Sequence, residues 1–307
     1  MTEGQFGQAD VPAKAIAAQE IIYIKSTAMS VVGKCGLGMK QTNEEIVKVY
    51  KVKGVSGEHD VSLSSRSSPK KILYNPIRKD IIWDEYEFEI LDEAKMSSLS
   101  PKDMWTSSLK SAAEWFSAIK DYVVLSELVA KAGGSGAATT TWDNANANIE
   151  SDVVEGVASL MTNSNFEDGT ALNLVVPASV LPQLMKTTFI GNVQQSVRDY
   201  VKKAFTLNIV GYRPRREDGS YVNDGLTTNA LLFPVGPDTA TFYEFSPAAL
   251  AAKGVPSIER VRNFKRGEAY VQKMGSACLV DWDGEGTYTT STNYLNNRVY
   301  KITGVKS

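Results

Sequence analysis

Residues that could do chemistry are few in this chain, and their spacing argues against most reactions. Asp281, Asp283, Gly284 and Glu285 begin like a calcium loop, in which successive oxygen ligands wrap a hard cation. The glycine comes too early, and the position that should close the site with glutamate is Thr292, so the run reads as an acidic turn. Gly33, Gly36 and Gly38 have a phosphate-loop look but lack the Gly-Lys-Ser/Thr ending and the strand-then-helix setting, so they read as a flexible segment. Gly133, Gly134, Ser135 and Gly136 follow a helix, where no helix N-terminus can face a phosphate; they read as a helix stop and a loop. His59 is the single histidine and sits in a polar Gly-Glu-His-Asp loop, so no histidine cluster for acid–base or metal chemistry exists. Cys35 and Cys278 are far apart and make neither a disulfide framework nor a metal site; free, reduced thiols are expected. Paired carboxylates, a serine beside a base and a Gly-x-Ser-x-Gly turn are missing from any convincing setting. Glu85, Glu87 and Glu89 share a strand face of the solvated kind. The expectation is therefore a non-enzyme with no catalytic, cofactor-binding or metal-ligating residues, and no cofactor.

Two basic knots remain, Arg213, Arg215 and Arg216, and Arg260, Arg262, Lys265 and Arg266. Strand alternation would put Arg260 and Arg262 on one face with Phe264. They serve either as solvated surface or as ion-pairing sites toward another subunit or an anionic polymer. The net charge of −2 gives no overall basic field for tight nucleic-acid binding, so any such contact is local and weak. The 307 residues are 43% hydrophobic and 22% charged, ordinary globular values. The first residues lack the basic and apolar regions of a signal peptide, and no apolar run approaches a bilayer span. These features predict a chain kept in a cytoplasm, or one that leaves without a signal.

The elements that must position these residues centre on one long helix, Ser100 to Gly134. Ser100, Pro101 and Asp103 form its start signal, and Gly133 and Gly134 its stop. Trp105, Leu109, Ala112, Phe116, Ile119 and Val123 lie on one stripe, with Trp115, Tyr122 and Val129 beside it. About 32 residues at roughly 1.5 Å each make a rod of about 48 Å. Before it, residues 1–45 lack any periodicity that could bury a core alone. Ile46 to Ile90 reads as a long hairpin with limbs Ile46–Val55 and Ile72–Ile90 and a polar tip, Ser62–Pro69. The end of the returning limb alternates Ile82, Tyr86, Phe88 and Ile90 against the three glutamates, and this apolar face lacks enough of its own chain to cover it. After the helix come a loop at Gly133–Thr141, a helix at Asp143–Met161 with Ile149, Val153, Val157 and Leu160 inward, and a buried strand at Leu172–Val176. A short helix at Pro177–Lys186 and another at Val193–Phe205 follow. Strands at Leu207–Tyr212, Ala230–Pro234 and Ala240–Phe245 complete an α/β layer. Ile258–Phe264 pairs with Glu268–Trp282 across Arg266-Gly267; Asp283-Gly284 signals another turn, and Tyr288 and Arg298–Ile302 add strands.

This order of parts resembles the major capsid proteins of tailed phages and related viruses, with the Hong Kong 97-type fold, an α+β architecture. The resemblance is clearest at Leu172–Leu181, a strand ending in Pro177 before a helix, and at Ile258–Glu268, a strand and turn. It implies an N-arm at 1–45, an extended β-hairpin E-loop at 46–95, and a P-domain at 96–170 carrying the long spine helix 100–132. An A-domain at 171–249 and P-domain return strands at 250–307 follow. It implies an icosahedral shell around a viral genome, built from pentamers and hexamers of this chain in a host cytoplasm and ending in the virion. Scaffolding, portal or decoration proteins would be separate partners, packaged DNA would be contacted weakly, and no membrane is involved. With about 98 residues before the spine helix, a scaffolding segment would be a separate protein or already cleaved. Some members cross-link Lys to Asn between subunits; Lys70, Lys71, Asn296 and Asn297 are present here, and no sequence pattern assigns them that chemistry. An encapsulin-like shell enclosing protein cargo is the alternative within the fold, and the turns at 213–225 and 283–297 favour the viral one. A soluble α/β enzyme or binding protein built on 171–249 is the alternative outside it, and the lone histidine counts against that.

Overall fold

The structure, a computed structural model, describes residues 22, 24–52, 74–91, 101–144, 147–164, 169–190, 193–212, 228–253, 258–264, 267–282, 290 and 292–306. Helix α2 (Pro101–Lys131) is a 31-residue rod about 46 Å long. Leu109, Ala112, Phe116, Ile119 and Val123 are buried as the periodicity requires, while Trp105 lies outside the described side chains. Tyr122, expected to widen the apolar stripe, instead points to solvent. In the last turns the helix is enclosed more fully, with Val124, Leu125 and Leu128 buried as well.

Two five-stranded sheets flank this rod. The first has the order β1 (Gly38–Thr42), β11 (Ala240–Phe245), β13 (Gly267–Val280), β12 (Ile258–Phe264), with β4 (Ile82–Leu91) also paired to β13. β12 and β13 form the expected hairpin, Phe264 opposite Gly267. The second has the order β5 (Ala132–Ala137), β14 (Asn296–Thr303), β10 (Ala230–Pro234), β6 (Leu172–Pro177), β9 (Leu207–Tyr212). Every residue of β6 and β11 is buried, so neither strand alternates between a dry and a wet face, and Asn173, Thr241 and Glu244 are buried with their apolar neighbours. A ribbon of β2 (Ile46–Val52) and β3 (Tyr74–Asp80) is the described part of the long hairpin, in register from Ile46–Asp80 to Val52–Tyr74. The tip Ser62–Pro69 and His59 lie outside the described residues.

Several expectations need correction. The Gly-rich stretch after α2 is a strand, not a loop: β5 pairs parallel with β14. Its glycines serve close approach rather than helix termination. A Cβ on Gly133 would lie 2.5 Å from Asn297 Oδ1, and one on Gly136 would lie 2.3 Å from the Tyr300 hydroxyl. The next helix, α3 (Ile149–Asn163), starts later than Asp143, capped by the Asn148 side chain, which accepts from Ser151 N. Ile149, Val153, Val157 and Leu160 do face inward. α4 (Leu181–Leu184) is shorter than expected. The stretch expected as helix from Val193 begins as β8 (Val193–Ser196), paired with β7 (Thr187–Ile190). Only then does α5 (Val197–Phe205) start, where the Ser196 hydroxyl accepts from Asp199 N at 3.0 Å. Leading into β1, residues 24–29 are helical and α1 (Val31–Lys34) follows. The Gly33–Gly38 segment is no flexible run. Val31, Val32, Cys35 and Leu37 are buried in the core shared by α2 and both sheets, and β1 pairs parallel with β11.

The returning limb also differs. It breaks at buried Ile81 into β3 and β4, which join different sheets. Ile82 is exposed and Asp84 is buried in its place. Phe88 is covered by its own chain, stacking on Tyr270 at 5.5 Å, and Tyr86 packs on Trp115 at 5.4 Å. Pairing to β13 supplies that cover, which a reading of the hairpin in isolation cannot anticipate.

Candidate assembly surfaces and the buried charges of the long helix

Among its described side chains, helix α2 buries the ionisable groups Lys120, Asp121 and Glu127, and each ties down another segment. Lys120 lies one turn after Phe116, within the apolar stripe, so its ammonium is forced into the interior. It pairs with Glu244 of β11 at 3.1 Å, donates to Ser26 Oγ at 2.9 Å and to Thr27 Oγ1 at 2.8 Å, and stands 5.8 Å from the Phe242 ring centre. Burial pulls the Lys120 pKa down and pushes that of Glu244 up to about 7, while the pair's mutual attraction opposes both. Asp121 Oδ1 accepts from Val31 N at 2.6 Å. Burial lifts its pKa to about 7, against that hydrogen bond and the nearby Lys34. Glu127 accepts from Lys79 of β3 and so fixes the base of the hairpin to the helix.

The segment from Ile22 to Thr42 is thus a strap laid across the molecule. Ile22 packs with Leu109, Ala112 and Phe116. Further along, the carbonyls of Lys34 and Cys35 accept from Asn208 (2.8 Å) and Asn173 (3.0 Å), the two asparagines being themselves bonded at 2.8 Å. A cleft of about 570 Å³ opens beside the strap and α2, lined in part by Lys34, Tyr86, Glu114, Trp115, Asp121 and Tyr212. A carboxyl with a raised pKa in a cleft has the look of an acid–base residue. Here its oxygen is committed to a backbone N–H, and its role is to hold the strap.

On the opposite end of the core, Asp152 of α3 accepts from Trp142 Nε1 (2.7 Å), Thr139 N (3.0 Å) and Thr139 Oγ1 (2.9 Å). This anchors the turn that puts the fully buried Trp142 against α3. Asp152→Ala is expected to lower stability by about 1–3 kcal/mol, the cost of leaving buried donors unsatisfied, measured by urea unfolding.

The residues singled out in the sequence are scattered. Cys35 and Cys278 are free and buried; burial pushes the Cys35 thiol up to about 12 and the Cys278 thiol up as well, so neither is a ready nucleophile. Asn296 spends its side chain on backbone, donating to Asp281 O and accepting from Arg298 N. Arg213, Arg215, Arg216, Lys265, Arg266, Lys70, Lys71, Asp283, Gly284, Glu285 and Tyr288 lie outside the described residues. Among the described residues no group of three His, Cys, Asp or Glu could hold a metal ion, and no helix is long and apolar enough to cross a membrane. Sequence reasoning missed the Lys120–Glu244 pair and the strap; the available signal was a lysine in register with the apolar stripe of α2.

Beside that cleft, the described residues offer exposed strand faces. The outer face of the β2–β3 ribbon exposes Ile46, Lys48, Tyr50, Arg78 and Asp80, while Val47 and Ile77 pack inward with Ile81, Leu279 and Trp282. Along β4, Trp83, Glu85 and Glu87 form an exposed row, Glu85 paired with Lys273 at 2.8 Å.

No family model matches the sequence, and no curated protein matches it. Solved structures do. The capsid of Myoviridae phage XM1 is similar over 90% of this chain and 92% of its own, with a TM-score of 0.60 and 14% identity. A virus-like particle from Pyrococcus furiosus is similar over 93% and 97%, with a TM-score of 0.57 and 11% identity. The SrpI encapsulin complex from Synechococcus elongatus is similar over 88% and 85%, with a TM-score of 0.50 and 11% identity. The mixed helices and sheets described above are therefore those of the Hong Kong 97-type capsid fold.

Proposed function

We propose that this chain is the major capsid subunit of a tailed phage or related virus, closing in many copies into an icosahedral shell around the genome. The observation that carries the reading is the likeness to shell subunits along nearly the whole of both chains. A ribbon that exposes Ile46 and Tyr50 on one face supports it, because apolar side chains grouped on a solvent-facing surface are suited to an interface. In this reading residues 1–45 are the N-arm, 46–95 the E-loop, 96–170 with 250–307 the P-domain, and 171–249 the A-domain. Function lies in geometry and interfaces, with no catalytic step. Subunits meet as pentamers and hexamers, many weak copies of one contact adding by multivalency. Scaffolding, portal and decoration proteins are separate chains, DNA is touched weakly, and the shell assembles in the host cytoplasm before it becomes the virion.

Negative-stain microscopy of the purified chain tests this: closed shells, pentamers or hexamers are expected, and a compact monomer at high concentration would overturn it. A compartment shell of the encapsulin kind is the second reading, favoured by the SrpI likeness. Nuclease-protected DNA inside the particles supports the virus, and a defined protein cargo supports the compartment. Deleting Ser62–Pro69 is expected to leave the thermal unfolding midpoint within a few degrees while abolishing shells; loss of folding would place that segment in a core instead.

A further inference from the structure

The sheet face beneath α2 and the strap carries polar atoms that the described chain does not satisfy. Strand alternation puts Gln272, Met274 and Ser276 of β13 on one face, and the register sets Glu244 of β11 opposite Ser276. Gln272 and Glu244 are 3% and 4% exposed. Among the described residues, Gln272 Oε1 has no hydrogen-bond partner. Glu244 Oε2 is ion-paired with Lys120 Nζ at 3.1 Å but accepts no well-aligned hydrogen bond. Buried oxygens are rarely left in that condition, because each has given up its hydration. Both side chains line one cavity of about 10 Å³, which Ile22 of the strap, Phe245, Leu250 and Met274 also border. Lys273 borders it too, and its ammonium is engaged by Glu85 at 2.8 Å. That volume is about what one water molecule needs. Gln272 lies four residues from Ser276, so about 13 Å of strand separates it from the level of Glu244. Two long side chains that reach one cavity across that distance leave a gap between their ends.

We propose that this cavity binds one water molecule, which donates one hydrogen to Gln272 Oε1 and the other to Glu244 Oε2. Both atoms are acceptors, so the occupant has to bring donors or positive charge. A metal cation is the poorer fit, because it would find two side-chain oxygens where a hard cation takes six or more ligands, and it would sit beside the Lys120 ammonium. An ammonium ion meets the same repulsion. Water completes what Lys120 begins: Glu244 is held by a cation on one side and by a neutral donor on the other. Ile22 and Met274 belong to one apolar cluster with Leu109, Ala112 and Phe116, so seating the strap on α2 also covers the water.

A double-mutant cycle tests the site, because a wet and a dry cavity predict opposite signs. Unfolding in urea is followed at pH 8, above the Glu244 pKa of about 7. With the water bound, Gln272→Met takes a donor from Glu244, and the folding equilibrium constant is expected to fall about fivefold. In a dry cavity the same change removes an unsatisfied acceptor, and a constant that stays or rises would overturn the proposal. In the chain carrying Lys120→Met and Glu244→Leu the water has lost its second partner, so Gln272→Met is there expected to raise the constant. A fall as large as in the natural chain would mean that Gln272 acts through packing alone, and would also overturn it. A crystal structure of the natural chain reads the site directly, whether or not the variants fold. A solvent peak is expected within about 3.2 Å of both oxygens. No peak there among otherwise visible buried waters, or a Gln272 amide turned over to bond Glu244 directly, would overturn the assignment. Replacing sodium chloride by ammonium chloride at equal ionic strength is expected to leave the thermal midpoint unchanged; a rise that Gln272→Met abolishes would give the cavity to a cation instead.

Discussion

Lys120→Met lowers the stability of the folded chain by about 3–5 kcal/mol, seen as a drop in the denaturant midpoint at unchanged slope. The loss does not come from the ion pair being strongly favourable. Two charges taken from water gain roughly what they lose, but removing one leaves Glu244, 4% exposed, in the interior without its cation. Ser26 and Thr27 lose their shared donor at the same time, so the strap loosens where it crosses α2. The control separates the terms: Lys120→Met with Glu244→Leu removes both charges, and most of the stability is expected to return. A single-variant loss under about 1 kcal/mol would mean that the pair is not the tie described.

Stability falls as pH rises from about 4 to 7, and Asp121→Asn flattens that fall. Asp121 and Glu244 both have folded-state pKa values of about 7, raised from ordinary carboxyl values by burial. Between the unfolded and folded values the native chain holds protons that the unfolded chain has released. That favours folding at the acid end and withdraws the support as pH climbs through about 7. Each such proton contributes a slope of about 1.4 kcal/mol per pH unit. Asparagine still accepts from Val31 N but does not titrate, so unfolding curves at pH 4.5, 5.5 and 6.5 should converge on a shallower dependence. Lys34 and Cys35 lie beside the same site and remain in the variant, which leaves Asp121 as the difference. Parallel profiles for the two proteins would refute the assignment.

Much of this fold was legible because its signals are local. The Leu109–Val123 stripe, the inward face of α3, the β12–β13 hairpin and the strand before Pro177 all follow from spacing or turn chemistry within a few residues. What escaped depends on partners far along the chain. β5 is a Gly-rich strand only because β14 pairs with it and Tyr300 occupies the space a Cβ would take. Val31 to Leu37 buries Val31, Val32, Cys35 and Leu37 but exposes Gly33, Lys34 and Gly36, and its four-residue helix is too short to show a period. Phe88 looked uncovered because Tyr270 and β13 are nearly two hundred residues away. The charged ties were hidden for the opposite reason: lysine and glutamate are ordinarily surface residues, and only Lys120 in register with Phe116 and Val123 hinted otherwise.

The strand order of the second sheet has a consequence for how the chain is made. β14 lies between β5 and β10, yet a ribosome delivers it after every other strand described. Likewise β1, among the first strands synthesised, waits some two hundred residues for β11. The first sheet cannot take up β1 before residues 240–245 are made, nor the second join β5 before residues 296–303, and non-local pairings of this kind fold slowly. A nascent chain therefore carries the unpaired edges of β1 and β5 until their late partners are made.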